Sequence, residues 1–267
     1  MESSNPVFKR GYAAMPGRNR DTVVVNPVNP IDQLEEQFSA PSASTLQTGR
    51  MTMEDVVART TFLFLVLVAA GGSAWYFNLG GGALMIGFLS AFILGMVNSF
   101  SRKVRPGLVI AYAAFEGVAL GTLSHVYNTI YPGIISQAII GTAAAFVGVL
   151  ALYANGKIKV TPQFTRAMTA ALIGYVVLGL GSMIAGMFGV GRGYGFYGVS
   201  GISLLLCVAG VGLASFFLIV DFDQIQQMIR NSAPEEESWR AGFGLMVTVV
   251  WLYLEILRLL AILRDER

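Results

Sequence analysis

The stretch VSGISLLLCVAGVGLASFFLIVDFDQIQQMI, residues 199–229, decides how the chain is read. From Val199 to Val220 it carries no charge, and at about 1.5 Å of helical rise per residue that run spans a hydrocarbon core about 30 Å thick. It then ends on two acids, Asp221 and Asp223. Six further apolar stretches of spanning length lie at 58–78, 82–100, 107–130, 133–154, 166–189 and 239–263. Short breaks rich in glycine, proline, asparagine and basic residues separate them, which favours antiparallel neighbours. Of the 267 residues, 54% are hydrophobic and 13% charged, against roughly 25% charged in an ordinary soluble domain. The mean hydropathy is +0.62. A plain soluble protein is excluded, and the reading is an all-α integral membrane protein of seven transmembrane helices.

Residues 1–51 are rich in Ser, Asn, Pro and charge and hold no apolar run fit for a signal-peptide core, so they read as a disordered polar tail ahead of a transmembrane domain at 52–267. Thr52 offers an N-cap oxygen to the first helix, and Ser232 with Glu235 has capping-box spacing for a start to the seventh. Arg50, Arg59, Arg102, Lys103, Arg105, Lys157, Lys159, Arg166, Arg230 and Arg240 fall on the side of the tail, against Arg192, Arg264 and Arg267 on the other. This asymmetry predicts a cytoplasmic N-terminus and, with seven spans, a C-terminus outside; the basic residues at the C-terminus argue the other way, and the alternative is an even count with one segment re-entrant. Trp75, Tyr76, Tyr131 and Trp239 read as interfacial anchors. Small residues four apart, such as Gly117 and Gly121 or Gly210 and Ala214, suit close helix packing. The lone Cys207 and lone His125 exclude a disulfide framework, a cysteine zinc cluster and a multi-histidine metal site. A net charge of +2 carries no message about nucleic acid, and none is expected as a partner.

The acids carry the functional signal. Between Val56 and Val220 the one acidic residue is Glu116, well inside the third span, where an ionisable group costs at least about 2.5 kcal/mol and commonly marks an ion or proton path. A protonated Glu116 hydrogen-bonded within the bundle is the plainer alternative. Asp221 and Asp223 cannot share a helix face, whereas Asp221, Gln224 and Ile225 can, so Asp221 is expected to point inward and Asp223 toward the interface. Glu255 stands in the seventh span with Arg258 one turn away. If the first turns of that helix lie outside the membrane, Glu255 reaches the depth of Asp221. The two acids would then form a pair that shares a proton or, when ionised, offers hard oxygens to calcium. The alternative is an internal Glu255–Arg258 ion pair that makes the helix insertable.

These residues resemble the Bax inhibitor-1 family, also called the transmembrane Bax inhibitor motif family, in its bacterial branch. Val220-Asp221-Phe222-Asp223-Gln224-Ile225 looks like the family's ending of the sixth helix, and Leu252-Tyr253-Leu254-Glu255 like its Leu-Tyr-Leu-Asp element in the seventh. The resemblance implies a seven-helix bundle with the last helix central. It also implies that Asp221 and Glu255 are the two carboxylates of a pH-sensing latch on a calcium leak path. The cluster Arg102, Lys103 and Arg105 falls where members carry an arginine near the latch, and Glu116 matches an acid of the third helix in bacterial members. Glu255 stands where the family has Asp, Val220 where it has an aromatic residue, and Arg258 adds a positive charge within reach.

The expected function is therefore a pH-regulated calcium or cation leak channel in a bacterial inner membrane. Calcium is the permeant ion, no resident cofactor is expected, and the protein is not expected to be an enzyme. The alternative is a regulatory membrane protein that binds and restrains other membrane proteins, such as a membrane protease. A Gly198-Val199-Ser200-Gly201 run fits the short pattern of rhomboid proteases, but no third group is evident to orient His125.

Overall fold

A computed structural model describes residues 49–155, 160–193, 195–198 and 201–265. Among these, seven long helices each carry enough apolar length to cross a membrane: α1 (Met53–Tyr76), α2 (Gly80–Phe100), α3 (Pro106–Ile130), α4 (Ile134–Ala154), α5 (Pro162–Met187), α6 (Ile202–Arg230) and α7 (Glu237–Asp265). No strand lies among the described residues. Two short 3₁₀ turns, Val190–Gly193 and Gly195–Gly198, fold between α5 and α6. The seven-span expectation holds, with boundaries within a few residues except at the entries to α1 and α5. The expected tail lies outside the described residues up to position 48, as do Lys157, Lys159, Val199 and Ser200.

Local chemistry sets the helix starts. The Thr52 side chain accepts the Asp55 amide at 3.1 Å while the Asp55 carboxylate accepts the Thr52 amide at 3.0 Å, a closed capping box. Proline opens α3 and α5, where its missing N–H is no loss, and Thr161 accepts the Phe164 amide at 3.1 Å.

The expected capping box at Ser232 and Glu235 does not form. Ser232 takes a left-handed φ of 55°, and the Glu235 amide donates instead to the Gly49 carbonyl at 2.8 Å. With the Met51 amide on the Ala233 carbonyl at 2.9 Å, this ties the last residues of the expected tail to the α6–α7 loop. The Glu235 carboxylate and the Ser238 hydroxyl hold the Arg59 guanidinium of α1, which lies 5.3 Å from the Trp239 ring centroid. Tertiary partners have taken the groups that a local cap would use, and α7 begins at Glu237.

Helices α1 and α3 approach most closely. A Cβ on Gly117 or Gly121 would collide with the backbone carbonyls of Leu67 or Gly71, so the small pair serves packing. Helix α7 supplies buried residues to all three apolar clusters. One, with Leu252 and Ile256, packs on α4 and α6; one, with Phe243 and Met246, on α1, α2 and α3; and Ala241 joins Val56 of α1 and Ile225 of α6. It also reaches α5 through Tyr175 and Trp251, whose ring centroids lie 5.7 Å apart. The last helix is thus central, as the family resemblance implied. Helix α5 is the peripheral one, with Ser182 its one buried residue among those described.

Candidate functional site

Each acid's level follows from the helix that carries it. Glu255 stands eighteen residues into α7, about 27 Å from its start, whereas Asp221 stands nine residues before the end of α6, about 14 Å from the same end of the bundle. The residue of α7 level with Asp221 is accordingly near Thr248, and Thr248 is the side chain that lies against the Asp221 carboxylate. Glu255 faces Gly210: a Cβ there would fall 2.6 Å from Glu255 Oε2. Gly210 lies eleven residues before Asp221 on α6, about 16 Å along the helix.

The Asp221–Glu255 pair, and with it a calcium site made of those two carboxylates, is therefore corrected. The seventh helix packs against α1 and α6 from Ser238 and Ala241 onward, so none of its early turns is spare length that would bring Glu255 down to Asp221.

Glu255 is fully occupied. Its Oε1 accepts from the Tyr175 hydroxyl at 2.7 Å, the Trp251 indole at 3.2 Å and Arg258 Nη1 at 3.2 Å. The Tyr197 hydroxyl, from the second 3₁₀ turn, donates to Tyr175 at 3.0 Å, and the Arg258 guanidinium lies 4.5 Å from the Tyr197 ring centroid. The side chain of Glu255 is 3% exposed and that of Arg258 36%. The ion pair with Arg258, the alternative reading of the sequence, is what forms. It pins α5, α7 and the α5–α6 connection together.

Asp221 is the opposite case. Its Oδ2 is closed off from solvent and has no hydrogen-bond partner. The Thr248 hydroxyl has a single proton, and the Gly244 carbonyl also competes for it at 3.3 Å. Among the described residues the other buried side-chain oxygen without a partner is Thr60 Oγ1 of α1, which borders α7 at Gly242. Along α7 the two lie apart, Thr60 beside Gly242 and Asp221 beside Thr248, six residues or about 9 Å further on. Buried polar atoms are normally paired, so the orphaned Asp221 oxygen at the α6–α7 interface marks a place suited to water or a cation.

The remaining candidates separate. Asp223 accepts the Tyr153 hydroxyl at 3.4 Å and the Gln227 amide at 2.5 Å, which ties α6 to α4 near the helix end. Gln224 is exposed, although its spacing put it on the face of Asp221; the α6–α7 contact takes Asp221 and Ile225 and leaves Gln224 outside. Arg102, Lys103 and Arg105 are exposed at the α2–α3 turn and make no ion pair with either acid; Arg240 instead donates to the Ser101 and Arg102 carbonyls at 3.0 and 3.2 Å. Glu116 lies in a cleft between α2, α3 and α7. His125 packs edge-on to Trp75 with ring centroids 5.2 Å apart. No group of three or more His, Cys, Asp or Glu side chains gathers among the described residues. Tyr175, Tyr197 and Thr248 were not singled out from the sequence, and only Trp251, one helical turn before Glu255, had a spacing that signalled contact.

A seven-helix membrane bundle, with its last helix central and acids along the interface of the last two helices, is the class these features define. The chain belongs to the Bax inhibitor 1 like family, whose model matches residues 5–265. It is 28% identical over 143 residues to an uncharacterised protein of Chlamydia muridarum (strain MoPn / Nigg). That match covers 54% of this chain and 57% of the relative, so the chain spans little more than half the length of the curated relative it matches.

Proposed function

We propose that the protein is a pH-regulated cation leak channel, with calcium as the permeant ion, in a bacterial inner membrane and with its N-terminus in the cytoplasm. The observation that carries this reading is the orphaned, buried Asp221 oxygen at the α6–α7 interface. Ionised, the Asp221 carboxylate offers a hard oxygen to a cation passing that interface; protonated, it loses that charge and the path closes. A single acid thus replaces the expected pair as the proton-sensitive element. Glu255, neutralised by Arg258, serves as a structural clamp toward the other end. This reading gives the protein no catalytic role and no resident cofactor.

Purified protein in liposomes loaded with a calcium dye tests it. Influx is expected to be larger at mildly alkaline than at mildly acidic pH, and Asp221→Asn is expected to hold influx at the low, acid-like level throughout. Influx from Asp221→Asn that still follows pH as the wild type does would remove Asp221 from the path.

The second reading, a regulator that restrains other membrane proteins, is favoured by one feature. Gly49 and Met51 are hydrogen-bonded to the α6–α7 loop, so a partner holding the chain ahead of them would pull on the helices that carry Asp221.

A further inference from the structure

A cleft of about 270 Å³ opens between α2, α3 and α7, away from the α6–α7 interface. Phe88, Phe92 and Met96 of α2 line its mouth and are 59%, 58% and 48% exposed on a surface that faces hydrocarbon. Tyr112 of α3 and Phe243 of α7, edge to face with ring centroids 5.0 Å apart, line it further in. Glu116 also lines it and makes no hydrogen bond or ion pair with any described residue. Glu116 stands ten residues into α3, about 15 Å from the helix start, and so near the middle of a core about 30 Å thick.

A carboxylate at that depth calls for a positive partner, and the walls restrict which partner can come. A hydrated metal ion gains nothing from a mouth framed by phenylalanine and methionine and would lose its water to enter. The ammonium of a phospholipid stays in the headgroup layer, about half the core thickness away. A single-chain amine dissolved in the bilayer meets both requirements: its tail lies among the apolar walls, and its charge meets Glu116 and the faces of the aromatic rings. The volume lies just under the roughly 300 Å³ at which ligand pockets usually begin, which suits a slender ligand.

We propose that this cleft is a binding site for a membrane-dissolved amphiphilic amine, with the ammonium on Glu116 and the tail against Phe88, Phe92 and Phe243. The site stands independently of the leak path.

The test is equilibrium binding of radiolabelled dodecylamine to the full chain in phosphatidylcholine nanodiscs, with empty nanodiscs subtracted. The wild type is expected to bind one amine per chain saturably, displaced by unlabelled dodecylamine and not by dodecanol. Glu116→Gln should weaken binding at least tenfold, whereas Glu116→Asp, which keeps the charge, should retain it and so separate loss of the site from loss of the fold. Gly95→Leu, which fills the cleft beside Tyr112 and leaves Glu116 in place, should also abolish binding. Equal binding by Glu116→Gln, or no saturable binding by the wild type, would overturn the proposal. So would loss of amine binding on adding phosphatidylethanolamine to the discs, since headgroup amines would then be the occupants.

Discussion

The two halves of the α6–α7 interface treat a carboxylate in opposite ways. In one, Glu255 accepts hydrogen bonds from three side chains on two helices and is neutralised by Arg258. In the other, Asp221 has the Thr248 hydroxyl beside it and an oxygen with nothing bound. A satisfied buried acid is a structural part whose removal exposes its partners, whereas an unsatisfied one holds nothing that its removal would release. The contrast sorts two acids that look alike in sequence into a clamp and a candidate ion site.

The sharpest way to break the contrast is to remove the clamp. Glu255→Gln leaves Arg258 without its counter-charge and puts a neutral acceptor in front of Tyr175 and Trp251, which bond best to a charged one. The variant should lose thermal stability strongly in detergent micelles, and combining it with Arg258→Leu should recover part of the loss. A Glu255→Gln protein as stable as the wild type would mean the ion pair is idle. Tyr175→Phe is the smaller version of the same test. It deletes one hydrogen bond to a charged group, for about 1.5–3 kcal/mol, and loosens α5 in particular. Faster hydrogen exchange confined to α5 and the connection after it would be the signature.

The smallest stability effect is expected at Asp221. Asp221→Asn removes no filled hydrogen bond from Oδ2 and relieves an uncompensated buried charge. Its melting temperature should equal or exceed that of the wild type, and a drop as large as that of Glu255→Gln would show that Asp221 has partners in the folded protein after all.

The helices were legible because each apolar run is about as long as the membrane core is thick or longer, and the start at Thr52 because its capping chemistry is local. The start of α7 was not, since Glu235 spends its amide on Gly49 and its carboxylate on Arg59, partners far away in sequence. The candidate acids were legible by their cost, and the inward direction of Asp221 by helical spacing. Their mutual register was not. It depends on how many residues of α7 lie beyond the membrane, and the packing of Ser238 and Ala241 into the bundle, which moves Glu255 about 16 Å past Asp221, is a tertiary fact. The Leu-Tyr-Leu-Glu motif therefore pointed to a buried acid and to the wrong partner for it.

The separation of the two acids is tested most directly by calcium influx as a function of pH, measured side by side for wild type, Asp221→Asn and the paired change Glu255→Gln with Arg258→Leu. The account predicts that the paired change keeps the pH midpoint of the wild type, whatever its absolute flux, while Asp221→Asn abolishes the pH response. A midpoint that shifts with the Glu255 variant and disappears only when both acids are changed would contradict it, because the two carboxylates would then titrate as one unit.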